Sequence, residues 1–98
     1  MLFHVTWEFM DQSEDGSKRS LSIFQNWKPA EGANFLGFYG LADNSGGVAI
    51  VDVDSHQTLA KITAPFTPWM RFEATPILPV EESAQIAGEA LAWIGTVK

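Results

Sequence analysis

The sequence contains no cysteine, which excludes a disulfide framework and any thiolate metal site. A cysteine-free chain fits a reducing compartment. Basic residues are scarce as well: six Lys and Arg stand against twelve Asp and Glu, for a net charge of −6. The six cations (Lys18, Arg19, Lys28, Lys61, Arg71 and Lys98) are scattered, whereas nucleic-acid binding needs a basic face. An acidic surface also disfavours anionic membranes. The opening stretch over residues 1–8 lacks a basic n-region, and His4, Thr6 and Glu8 interrupt its apolar residues. It is expected to be neither a signal peptide nor a membrane span. A cytoplasmic location is therefore expected, with no nucleic-acid partner, no membrane partner and no cofactor.

Several catalytic signatures are missing too. No G-x-S-x-G elbow is present, and no Ser-His-Asp constellation is indicated. Gly46-Gly47 is not followed by Lys-Ser/Thr and enters a strand, so it reads as a hairpin turn, not a phosphate loop. Asp52, Asp54 and His56 alternate like metal ligands. Ser55 is expected to start a helix among them, turning His56 away, and with two His and no Cys no metal site is expected.

What the chain does have is apolar and aromatic residues. At 98 residues it is expected to form one domain over residues 1–98. It is 46% hydrophobic, with four Trp and seven Phe, enough for a core. A domain of this size still buries only about 60–70% of its unfolded surface.

Periodicity gives the elements. Phe3, Val5, Trp7 and Phe9 alternate with Leu2, His4, Thr6 and Glu8, the period of a first strand. Asp11 or Ser13 caps a first helix, with Glu14 placed for a capping box. This helix runs to about Trp27, and Leu21, Phe24 and Trp27 form its buried stripe. Pro29 ends it. Phe35–Leu41 and Val48–Val53 are the second and third strands, joined as a hairpin through residues 43–47. Ser55 caps a short second helix that presents Leu59 and Ile62 and stops at Pro65. In Pro65-Phe66-Thr67-Pro68-Trp69 two prolines hold an aromatic pair, either as a packed connection of low entropy or as a pocket wall. Arg71–Leu78 is the fourth strand, placed at a sheet edge by Pro76. A third helix runs from Pro79 or Glu81 to about Ile94.

The order β-α-β-β-α-β-α, with right-handed crossovers, predicts an α+β fold. It is a ferredoxin-like βαββαβ unit plus a C-terminal helix, with strand order 4-1-3-2. Both crossover helices lie on one face of such a sheet. Yet the strands are apolar on both sides: Ala49, Val51 and Val53 oppose Val48 and Ile50, while Phe35, Tyr39 and Leu41 oppose Leu36 and Phe38. A half-solvated antiparallel sheet alternates apolar with polar, so the second face needs a cover. The third helix bears two stripes, Val80, Ala84, Ala87, Leu91, Ile94 and Ile86, Ala90, Trp93. An arc that wide touches its own domain and a partner, or tucks wholly inside one monomer.

On the uncovered face the alternation places His4, Thr6, Glu8, Asp52, Arg71 and Glu73. A partner that covers this face removes water from some of these groups, and a buried charge must then be paired or shift its pKa. A ligand-binding cavity lined by His4, Thr6, Tyr39, Arg71 and Glu73 is the sharper expectation, with His4 able to transfer a proton. The plainer one is an exposed Arg71–Glu73 ion pair on an edge strand, a solvated Glu8 and a hydrogen-bonded core His4.

Longer stretches carry a resemblance. Leu-Phe-His-Val-Thr-Trp at 2–7, Trp-Lys-Pro at 27–29 and Gly-Phe-Tyr-Gly at 37–40 are three of them. Ser-Gly-Gly-Val-Ala-Ile-Val at 45–51, Ala-Pro-Phe-Thr-Pro-Trp at 64–69 and Arg-Phe-Glu at 71–73 complete the set. Together they resemble a bacterial family of small proteins described as a domain of unknown function, similar to the dimeric α/β-barrel superfamily. That resemblance implies two ferredoxin-like sheets packed face to face. It also places the chain beside cofactor-independent monooxygenases, haem-degrading enzymes, lactone isomerases, dehalogenation-type enzymes, and sensing and stress proteins. It carries over no catalytic residue, because fold alone does not settle chemistry. The leading expectation is a homodimer that binds a small, partly apolar molecule between two sheets. The alternatives are a cofactor-independent oxygenase or isomerase using the same cavity, and a structural or interaction module with no ligand.

Overall fold

The computed structural model describes residues 1–98. Its elements are β1 (Leu2–Phe9), α1 (Glu14–Asn26), β2 (Ala33–Gly40), β3 (Gly46–Val53) and α2 (His56–Thr63). A 3₁₀ turn over Ala64–Phe66, then β4 (Met70–Pro76) and α3 (Val80–Ile94), complete the chain. The strands form one antiparallel sheet in the order β2-β3-β1-β4. This is the ferredoxin-like α+β arrangement with an added C-terminal helix, and β4 is an edge as Pro76 predicts.

Register fixes which face is which. Phe3 lies opposite Val51, and Val5 opposite both Ala49 and Ala74. These side chains point to the α1/α2 side, where Phe3, Val5, Ala49, Val51, Val53 and Ile62 form the buried core. Val51, fully buried, sits mid-sheet with core partners on both neighbouring strands, so β-branched packing is strongest there.

Helix caps follow the expected chemistry with one correction. Ser13 is the α1 N-cap, its Oγ accepting from the Gly16 N–H at 3.1 Å. Asp11 accepts from the Ser13 N–H at 3.0 Å. The capping box does not form, because with Ser13 as the N-cap the third helical residue is Gly16; Glu14, the first, pairs with Lys18 at 2.9 Å one turn on. Ser55 caps α2 by accepting from the Thr58 N–H at 3.2 Å. Pro65 falls inside the 3₁₀ turn, where Phe66 is buried. Phe66 packs 5.4 Å from the Trp27 ring and also lines a cavity beneath α1, so the segment is at once a packed connection and a pocket wall.

Three expectations fail for physical reasons. The Leu21-Phe24-Trp27 stripe faces the sheet but is not buried: Leu21 is 56% and Phe24 44% exposed. The buried positions of α1 are Gly16 and Ser20, whose small side chains cannot fill the space beneath the helix. In β2 the simple alternation breaks at a bulge between Phe35 and Gly37. An extra residue resets the period, so Phe35 and Phe38 share the helix side and stack at 4.8 Å. Finally, α3 is neither tucked into the monomer nor packed down on its own domain, against both readings of its two stripes. Every residue from Val80 to Lys98 is exposed, and the chain extends 62 Å along its long axis. Its radius of gyration is 17.7 Å, against about 13 Å for a compact domain of this length.

Candidate functional site

The sheet face opposite α1 and α2 is covered by no element of the chain. β1 presents Leu2, His4, Thr6 and Glu8 there, because each pairs with an outward residue of β3: Asp52, Ile50, Val48 and Gly46 respectively. On the β4 side, His4 lies opposite Thr75, Thr6 opposite Glu73, and Glu8 opposite Arg71. Strand pairing therefore stacks one polar column on another.

A depression of about 410 Å³ opens on this face, and His4, Thr6, Glu8, Arg71 and Glu73 line it with Leu41 and Val48. Four of the five residues singled out from the sequence thus meet in one place. The fifth, Tyr39, shares the face but not the depression. It lies beyond Val48, two strands from Thr6, roughly 10 Å away at the usual strand spacing. Its ring leans over Gly37, where any Cβ would press on Tyr39 Cε2 at 2.9 Å. A glycine in mid-strand makes room for that ring.

Of the charged side chains on this face, Asp52, Arg71 and Glu73 are paired. Arg71 Nη2 donates to Glu73 Oε1 at 3.4 Å, with both side chains about two-thirds exposed. In water such a pair contributes about 0–1 kcal/mol. Asp52 belongs to the other end of the face, where it accepts from the Met1 ammonium at 2.9 Å.

Asp54 and His56 go elsewhere. Asp54 accepts from the Thr58 hydroxyl, which holds its carboxyl below the ordinary carboxylate value, and Ser55 adds to the effect. The His56 ring meets the Phe3 ring edge-on at 6.1 Å. Asp52, Asp54 and His56 thus have three separate sets of partners.

A larger cavity escaped the sequence. It measures about 690 Å³, lies between α1 and the helix-side face of the sheet, and is half open. Trp7, Phe24, Trp27, Phe35, Phe38 and Phe66 contribute to its walls. The rings brace one another: Trp7 meets Phe38 at 5.5 Å and Trp27 meets Phe35 at 5.9 Å, both edge-on. The space exists because small residues face each other across it, Ser17 and Ser20 on α1, Gly40 and Ala49 on the sheet.

No helix is long and apolar enough to cross a membrane. The chain matches the family described as a domain of unknown function, DUF3303, over residues 1–91. It belongs to that family. No curated protein matches it.

Proposed function

We propose that this protein is a homodimer that holds a small, partly apolar molecule between two open sheet faces. Uncovered surface carries the proposal. A folded monomer of 10.8 kDa exposes about 5,500 Å² by the scaling of surface with mass. This chain exposes 7055 Å², roughly 1,500 Å² more than the scaling allows. A standard interface removes about 800 Å² from each partner and an obligate homodimer interface about 1,000–2,500 Å², so the excess is of the size that an obligate dimer covers.

The excess has two sources. One is the open face, with Leu36, Tyr39 and Leu41 all exposed. The other is α3, which exposes Val80, Ile86, Leu91, Trp93 and Ile94. An isolated helix of fifteen residues is marginal in water. Packing against a partner supplies the burial that its own domain does not.

A second sheet laid over the first turns the depression at His4, Thr6, Arg71 and Glu73 into an enclosed chamber. Loss of water strengthens the Arg71–Glu73 attraction and raises the cost of leaving either group unpaired. A ligand with both apolar surface and hydrogen-bonding groups satisfies such a lining, with Tyr39 on the apolar approach. Native mass spectrometry of protein purified from its own cells tests the proposal. The expected result is a dimer that carries added small-molecule mass, lost in both His4→Ala and Arg71→Ala. A bare dimer, or added mass that both variants retain, contradicts it.

A further inference from the structure

We propose that the cavity between α1 and the sheet is a second binding site. Its ligand is a planar aromatic molecule with a hydrogen-bond donor or positive charge, and no negative charge, at one end. Three observations carry this.

The first is size. About 690 Å³ falls within the roughly 300–1,000 Å³ typical of small-molecule pockets, whereas native cores leave few voids larger than a water. The exposed helix α3 is too large to enter it whole. A helix is about 10–12 Å across with its side chains, so its fifteen residues fill roughly 2,000 Å³.

The second is lining. Aromatic rings stand along the walls while Ser17, Ser20 and Ala49 keep the middle clear. A wall of mutually packed aromatic rings favours a flat ring system, through offset and edge-to-face contacts.

The third is the polar end. Gln12, Asp43 and Asn44 lie together where the link from β1 to α1 meets the hairpin turn, and Gln12 Nε2 donates to the Asn44 carbonyl at 3.5 Å. Asp43 is the one ionisable side chain in the lining. It accepts from the Ser45 hydroxyl at 2.6 Å and the Ser45 N–H at 3.0 Å, and these bonds keep it charged. A carboxylate at the cavity end attracts a donor or cation and repels an anion, as does the overall charge of −6.

A matched pair of probes tests both site and polarity: neutral N-phenyl-1-naphthylamine and its sulfonated analogue 8-anilinonaphthalene-1-sulfonate. Binding is read by energy transfer from Trp7 and Trp27 in the 98-residue chain. The neutral probe is expected to bind once per chain, and roughly threefold to fivefold more tightly than the sulfonate, from charge repulsion at the exposed Asp43. Ala49→Leu, which fills the cavity from the sheet, should abolish binding. Ser17→Leu fills it from the helix and decides the matter where Ala49→Leu fails to fold. His4→Ala and Arg71→Ala, on the opposite sheet face, should leave probe binding unchanged, so this site and the one between sheets stand or fall separately.

Equal affinity for the two probes overturns the ligand class. Absence of neutral-probe binding, or binding that survives Ser17→Leu, overturns the site. Binding that appears only in Trp93→Ala also overturns it, by showing that α3 side chains occupy the cavity.

Discussion

Ile50→Asp should split the proposed dimer while leaving the fold of each chain intact. Ile50 sits mid-face on the uncovered side, with His4 beside it on β1 and Gly37 on β2. It is only half-buried in the single chain, so a carboxylate there stays hydrated when the chain is alone. In a face-to-face dimer the same carboxylate loses its water. Fully burying an isoleucine contributes about 1.5–3 kcal/mol; the partner covers at most about half of this one, and a symmetric dimer contains two. Lost burial alone then costs about 1.5–3 kcal/mol, or roughly ten- to a hundred-fold in Kd. Burying an unpaired carboxylate adds several kcal/mol per copy. Ile50→Val removes one methylene, about 0.8 kcal/mol per chain, and should weaken association only about tenfold. Sedimentation velocity over a concentration series reads the difference, with far-UV circular dichroism confirming the fold. Undiminished dimerisation of Ile50→Asp would refute the placement of the partner on this face.

Other consequences follow from single contacts. Gly47→Ala should destabilise the fold by about 1–3 kcal/mol in urea unfolding, through overpacking. A Cβ at Gly47 would run into the Trp7 ring, so near-UV circular dichroism should change as well; an unchanged midpoint would mean that the ring has room to move. Ser55→Ala removes the α2 cap and should cost about 0.5–2 kcal/mol, with Ser55→Asp recovering most of it. Asp54 titrates below its ordinary value in the fold, chiefly through the Thr58 hydroxyl. Its contribution to stability is present above the unfolded value of about 3.9 and is lost as pH falls through the lower folded value. Asp54→Asn should therefore show a shallower loss of stability below about pH 4 than the wild type; identical acid profiles would remove Asp54 from the account.

Much of this architecture was legible in the sequence because strand alternation is unambiguous where nothing interrupts it. β1 and β3 keep a strict period of two, so His4, Thr6, Val48 and Ile50 could be placed on the open face from spacing alone. Edge placement of β4 followed from Pro76, and that put Arg71 and Glu73 beside His4 and Thr6. β2 was only partly legible. Its bulge at Phe35/Gly37 leaves no trace in hydropathy, and it turns Phe35 and Phe38 to the same side. α1 shows a second kind of failure. The spacing of Leu21 and Phe24 gives their direction, but how deeply they bury depends on how closely the helix approaches the sheet. That approach is set by Gly16, Ser17 and Ser20 on one surface and Ala49 on another, residues far apart in the chain. The aromatic cavity arises from the same juxtaposition, and no local pattern announces it.

Sedimentation equilibrium of the unmodified protein at micromolar concentration tests the central claim most directly. The exposed surface, the uncovered face and the extended α3 predict a single species at twice the 10.8 kDa chain mass. A stable species at the mass of one chain would contradict the account.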